Sequence, residues 1–244
     1  MGKQREATTF IAIALGSGGS SFMSKEQKLK ALAKHRQESR WEGYHCLADY
    51  RNGTLECEEH VSPYTKGAHN LDALVMVMLQ DWSSDRTLRN AQSPASSEFG
   101  HDPKIPTNIR LKELLKSTFG LGLKETYATN LFPFIKNGLM SARIPAKDLQ
   151  RAAVEFAIPQ IEIVKPKIVI CLGKNTFNAI RVAHGLSHAP TMESAIASPF
   201  NIGESTVWAQ AHTGSWGQGN RNRGRPGRTF EDWKQMKDAS GIGR

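Results

Sequence analysis

Four short apolar runs, set between helix-patterned stretches, constrain this chain more than any other feature. They are LVMVML (74–79), TYATNLF (126–132), KIVICLG (167–173) and STVWAQAH (205–212). The first and third are almost continuously apolar, as strands covered on both faces must be. Between the runs the apolar period changes to that of a helix, at about 107–117, 148–164 and 174–184. A last helix is expected at 229–239. This alternation predicts an α/β fold around a parallel sheet. Pro159 should kink or divide the second helix. Gly173, just before KNTFNAI, marks a tight turn from strand to helix.

The first third of the chain reads differently. Ser24 caps a helix, with Gln27 at capping-box spacing. Leu29, Leu32, Ala33 and Trp41 fall along one face of that helix. Residues 44–61 read as a β-hairpin turning at Asn52-Gly53. Residues 1–23 are expected to be a flexible leader. The apolar patch Phe10–Leu15 within it is far below the ~20 residues of a membrane span. It imitates a secretion signal poorly, and a start at Met23 is the alternative. The stretch GSWGQGNRNRGRPGR (214–228) is low in complexity and predicts no regular element.

Composition narrows the function. With 244 residues, 39% apolar and 23% charged, the chain can bury a core without staples. Its net charge of +9 favours a polyanionic partner, nucleic acid before membrane. Three cysteines argue against a disulfide framework and for a reducing cytoplasm. They also fall short of the four thiolates that hold an iron–sulfur cluster. Cys57-x-x-His60 has a metal-like spacing, with His45 and Cys46 across the expected hairpin. Adjacent residues of a strand face opposite ways, so His45 and Cys46 chelate badly together. Neither a metal nor another cofactor is expected.

In a parallel α/β sheet, ligands bind beyond the carboxyl ends of the strands. There the sequence places Gln80-Asp81-Trp82, Asn130, Gly173-Lys174 at a helix N-terminus, and His212 followed by Thr213-Gly214-Ser215-Trp216. Each alone is more often structural: an Asp after a strand caps a helix, and a lone His packs. Together at one edge, a carboxylate, an amide, an imidazole and a helix N-terminus point to chemistry. A mononucleotide-binding protein of the doubly wound type would need a Gly-rich loop after the first strand, and QDWSSDR has no glycine.

Four segments in order resemble the uracil-DNA glycosylase superfamily, over about residues 70–225. They are LQDWSSD (79–85), ATNLFPF (128–134), KPKIVICLGKNTF (165–177) and AHTGSWG (211–217). The resemblance implies a single three-layer α/β/α domain over 24–244, around a central, mostly parallel four-stranded sheet. Helix and hairpin would occupy 24–65 and the catalytic core 70–240. It implies a monofunctional enzyme that hydrolyses the glycosidic bond of deoxyuridine and leaves an abasic site. Asp81 would position water and stabilise the sugar cation, and His212 would stabilise the departing uracil anion. Asn130 would read the uracil edge, and Gln80, Trp82 and Phe99 would complete the base site. Phe99 and Trp82 compete as the ring that stacks on the base. Asn108, Ser215 and Trp216 would touch DNA, with Trp216 either a wedge entering the emptied stack or a buried loop residue. Lys174 at its helix N-terminus suits a phosphate. Arg221, Arg223, Arg225 and Arg228 read as a phosphate clamp or, alternatively, as a solvated loop.

The partner implied is uracil-containing DNA, single- or double-stranded, bound by a monomer at the nucleoid, with no membrane. The sequence departs from the family's first motif, which usually reads G-Q-D-P-Y. Leu79, Trp82 and Ser83 replace the Gly, Pro and Tyr, so exclusion of thymine must come from Trp82 or elsewhere. In the second motif Thr213 and Gly214 replace Pro and Ser. Two alternatives remain open. One is a superfamily enzyme for another deaminated or mismatched base. The other is a non-catalytic binder of damaged or single-stranded DNA.

Overall fold

A computed structural model describes residues 23–90 and 94–242; the expected leader, but for Met23, lies outside them. In chain order the elements are α1 (Lys25–Glu38), β1 (Tyr44–His45), β2 (Val75–Asp81), α2 (Asp85–Arg89), α3 (Pro94–Phe99) and α4 (Pro106–Phe119). Next come β3 (Tyr127–Phe132), β4 (Ile135–Lys136), α5 (Ala146–Ala152), α6 (Ile158–Val164), β5 (Ile168–Leu172) and α7 (Lys174–Ala183). The rest are α8 (Met192–Ile196), β6 (Phe200–Ile202), β7 (Ser205–Gln210), α9 (Ser215–Asn222) and α10 (Arg228–Ser240). Among the described residues, no helix is long and apolar enough to cross a membrane.

The main sheet runs β3–β2–β5–β7–β6 and so has five strands, not the four expected. The first four are parallel, and β6 pairs antiparallel with β7 at the edge. Strand β6 escapes a periodicity reading because it has three residues. It is joined to β7 through Gly203-Glu204, with Gly203 at φ +55°. Alternate residues of β2 face opposite ways, as the pleat requires. Met76 and Met78 join Cys171, Phe177 and Ile180 on one face, with α1, α5, α6 and α7. Val75, Val77 and Leu79 join Ile170, Leu115 and Trp233 on the other, with α4 and α10. Helices therefore flank the sheet on both faces, which is why its central strands are apolar throughout.

Local sequence signals specify backbone conformation more closely than they specify pairing. The capping box at Ser24 and Gln27 forms. Pro159 divides its helix: α5 and α6 are separated by a π-turn over Ala153–Ala157 that absorbs the hydrogen bond proline cannot make. The hairpin over 44–61 does not form. Tyr44 and His45 pair instead with Lys136 and Ile135. Arg51, Asn52 and Gly53 do adopt the left-handed conformation that Asn-Gly favours, but in a 3₁₀ turn that leads back to no strand. Leu47, Tyr50, Leu55 and Cys57 there pack against Leu88 and Ile135 as a cluster of their own, not in alternation. The Gly/Arg stretch also contains a helix, α9, which its glycines argued against.

Arg36 ties α1 to this irregular segment. Its Nη2 donates to the carbonyls of Cys57 (2.8 Å) and His60 (3.2 Å), and it pairs with Glu56. The side chain is fully buried. Removing one partner of a buried pair costs about 3–5 kcal/mol. Arg36→Ala should fall at the lower end, about 3 kcal/mol, because Glu56 keeps some access to water. The measurement is the shift of the urea unfolding midpoint.

Candidate active site

The chain adds β3 on one side of β2 and then β5 on the other, so the strand order reverses between β2 and β5. A crevice opens beyond the carboxyl ends at such a reversal. Asp81 is the last residue of β2, and Gly173 and Lys174 follow β5. His212 follows β7 by two residues. Asn130 lies within β3, paired in register with Leu79 of β2. The structure therefore brings Asp81, Asn130 and His212 to one cavity of about 360 Å³, lined also by Leu79, Trp82 and Met140.

Both oxygens of Asp81 are held. Gln80 Nε2 donates to Oδ1 at 3.0 Å. Lys136 Nζ stands 2.8 Å from Oδ2, an ion pair rather than a hydrogen bond, with side chains 5% and 7% exposed. Lys136 also donates to the Met140 carbonyl. Sequence reading missed Lys136. The one signal was a lysine at the end of the apolar run FPFIK, a place where an unpaired charge would not be tolerated.

His212 is fixed by its own loop. The Gly214 N–H donates to Nδ1 at 2.9 Å. Nδ1 is therefore the bare nitrogen of the neutral ring, and Nε2 carries the proton. Gln218 of α9 donates to the His212 carbonyl at 3.1 Å. The loop folds so tightly that a Cβ on Gly214 would lie 2.9 Å from Nδ1. A Cβ on Gly217 would overlap the His212 carbonyl oxygen. Glycine at these positions is thus required by close approach. Burial lowers the His212 pKa, partly opposed by the charge of Asp81.

Asn130 is fully buried. Its Oδ1 accepts from Ser62 Oγ at 2.6 Å. Ser62 Oγ in turn accepts from the Tyr64 N–H at 3.3 Å. This chain of donors gives the amide its orientation, and Nδ2 is left buried with no partner on the cavity wall. No sequence signal marked Ser62.

The remaining candidates sort into four groups. Trp82 lines the cavity, its Nε1 donating to the Gly100 carbonyl at 2.7 Å. Phe99 does not line it; its ring is 38% exposed, and its carbonyl holds the imidazole of His101. Gln80 and Lys174 line a second, open groove of about 740 Å³ that shares Asp81, Met140 and His212 with the cavity. Lys174 Nζ there donates to the Pro190 carbonyl at 2.6 Å. Ser215 and Trp216 are exposed at the start of α9, with Trp216 at 86%, so it is not a buried loop residue.

Two side chains expected at DNA are engaged within the fold. Asn108 is buried, its Oδ1 accepting from Tyr64 Oη (2.7 Å) and its Nδ2 donating to the Asp102 carbonyl (2.6 Å). It also lines the cavity. Arg221 is buried in a two-point pair with Asp232 that docks α9 on α10, and a further bond to Glu193 ties it to α8. Its charge is spent within the fold. Arg223 stays exposed, and Arg225 pairs with Glu231 at 2.7 Å. The cysteine–histidine cluster is used otherwise: Cys57 Sγ donates to the His60 carbonyl at 3.2 Å, and burial pushes that thiol up to about 12. Among the described residues, no three His, Cys, Asp or Glu stand together as a metal site would need.

No family model matches the chain, and no curated protein matches it either.

The His212 geometry has a direct consequence. A pKa lowered by burial means that the folded protein binds a proton at His212 less readily than the unfolded chain does. The imidazole should stay neutral below the ordinary value of 6.5, and its protonation on acidification should cost stability. Nitrogen-15 NMR titration of labelled histidines checks this. His212 should show a midpoint below 6.5 and a neutral form protonated at Nε2.

Proposed function

We propose that the chain is a DNA N-glycosylase that removes uracil and leaves an abasic site. The observation that carries the reading is the meeting of Asp81, His212 and an unpartnered Asn130 amide on one cavity at the strand-order reversal. Cleavage of an N-glycosidic bond makes the sugar cationic while the base leaves as an anion. A carboxylate on the sugar side and a neutral N–H donor on the base side suit that separation of charge.

The base must first leave the stack. In the cavity, Asn130 Nδ2 would donate to uracil O4. Oδ1, holding the Ser62 proton on one lone pair, has the other for N3–H. Cytosine would set an amino group against the free amide N–H. His212, protonated at Nε2, would donate to O2 as negative charge grows there. Burial favours the neutral ring, which is the state that donates without first needing a proton from solvent. Asp81, oriented by Gln80 and Lys136, would position the attacking water and face the developing cation. The exposed Trp216 could fill the space the base vacates, a stacking contact of about 1–3 kcal/mol. Arg223, Lys174 and the net charge of +9 would supply salt-dependent attraction to phosphates.

Hypoxanthine presents the same carbonyl beside an N–H. Ser83, buried on the cavity where relatives of the resembled family carry a larger ring, leaves more room for such a purine. It is therefore the second substrate to test.

The decisive assay uses oligonucleotides with one uracil, alone or opposite guanine or adenine, with alkali revealing abasic sites. Asp81→Asn should lower the single-turnover rate about 10²–10⁴-fold, the span of a lost positioned proton acceptor. His212→Ala should lower it about 10²–10³-fold, as loss of an anion-stabilising donor does. Salt-sensitive DNA binding should persist in both. Binding without base release by the wild type, from uracil or hypoxanthine, would leave the non-catalytic binder.

Ser62→Ala tests the base-reading arrangement separately. Without the hydroxyl, the Asn130 amide is free to turn over. Discrimination of uracil from cytosine should narrow by about 1 kcal/mol, the worth of one buried hydrogen bond. Inhibition by free uracil and free cytosine measures it, and Ser62→Thr should restore it.

A further inference from the structure

We propose that Lys136 is a nucleophile, and that the chain cleaves the DNA strand at an abasic site through a Schiff base on this residue. The identity of the substrate rests on the glycosylase reading above; the placement of the amine stands on its own geometry.

The cavity and the open groove share Asp81, Met140 and His212. A nucleotide with its base in the cavity and its backbone along the groove would have its sugar at these shared residues. Lys136 lines the groove, with Nζ 2.8 Å from Asp81 Oδ2. A primary amine therefore stands beside the place where C1′ would lie.

Stability is a poor reason for this lysine. Replacing a buried ion pair by apolar residues of similar volume is often neutral or stabilising. Met140, Ala142 and Ile144 line the same groove as Lys136, so a methionine or leucine would suit that wall. Instead, a nearly buried ammonium is held on a groove wall by a carboxylate and the Met140 carbonyl. A lysine amine forms Schiff bases with carbonyl compounds once it has lost its proton, and Asp81 is the group placed to take it. Once its base is gone, deoxyribose opens to an aldehyde at C1′.

The steps balance without an oxidant or a metal. Lys136 gives one proton to Asp81, and its lone pair adds to the C1′ aldehyde. The carbinolamine loses water, giving a protonated imine. The proton held by Asp81 leaves with that water, and Asp81, again a carboxylate beside Lys136, takes a proton from C2′; the C2′–H electrons form the C2′–C3′ double bond, and the 3′ phosphate leaves with the electrons of the C3′–O bond. Water hydrolyses the imine and frees the amine. Lys174, the other lysine on this groove, has its amine bonded to the Pro190 carbonyl at the helix N-terminus, away from Asp81.

The test uses the full chain and an oligonucleotide whose single abasic site was made chemically, so that no base release is needed. Sodium borohydride reduces an imine to a stable amine and would leave protein covalently joined to DNA on a denaturing gel. The expected result is one adduct, mapped by peptide mass to Lys136, and strand cleavage without alkali. Lys136→Arg should abolish the adduct. Lys124→Arg, exposed at the opposite end of the sheet, should leave it intact. Mapping on the wild type decides the matter even if Lys136→Arg fails to fold. No adduct, or an adduct spread over exposed lysines, overturns the proposal. Uracil release without an adduct leaves the glycosylase reading standing and removes this one. An adduct at Lys136 without uracil release does the reverse.

Discussion

The reversal of strand order between β2 and β5 is the constraint on which the site depends. Each parallel strand needs a crossover through a helix, and successive crossovers on opposite sides of β2 leave the carboxyl ends of β2 and β5 with no chain above them. Asp81 reaches that opening because β2 runs two residues beyond its buried stretch, as Gln80 and Asp81 become partly exposed. His212 arrives from β7 and Asn130 from β3, so three strands and their separate helices converge on one cavity. Two large apolar faces hold those strands rigid. The positions of the polar groups follow from core packing rather than from loops that could drift.

The polar groups are oriented by small, local devices. Gly214 turns its N–H onto His212, and the same turn leaves no space for a side chain at 214 or 217. Thr213 and Gly214 follow His212 directly, and a backbone N–H sets the imidazole tautomer. Ser62 does the same for the Asn130 amide from a segment that no motif covers. Both devices fix which nitrogen or oxygen faces the cavity, and the pattern of donors there decides what can bind.

The strands and main helices were legible because each carries many residues of one period: LVMVML and KIVICL are apolar since helices cover both faces. Asp81, Asn130 and His212 were legible because strand ends in such sheets converge. What the sequence hid was side-chain pairing. Arg221 and Arg223 stand two residues apart in one Gly/Arg run, yet Asp232 engages the first and leaves the second exposed. Asn108 looked available until Tyr64, from 44 residues away, took its amide. Asn52-Gly53 gave the correct left-handed backbone and the wrong topology, since Tyr44 and His45 found a partner in Ile135 and Lys136, far along the chain. Long-range pairing of this kind leaves no local period to detect.

Lys136 changes the electrostatics of the site. At 2.8 Å and an effective dielectric constant of about 20, opposite unit charges attract by several kcal/mol. Much of the Asp81 field is then directed at Lys136, and less is left for a cation at the sugar. A bare carboxylate would stabilise that cation better. The pair gives orientation in exchange, because with Gln80 on Oδ1 and Lys136 at Oδ2 the carboxylate cannot rotate. It also places an ammonium proton donor beside that carboxylate. If Asp81 takes the proton, the charges on both groups vanish together and a neutral amine is left in a poorly hydrated place. A site arranged only to stabilise a cation has no use for that exchange, whereas one that also attacks a carbonyl requires it.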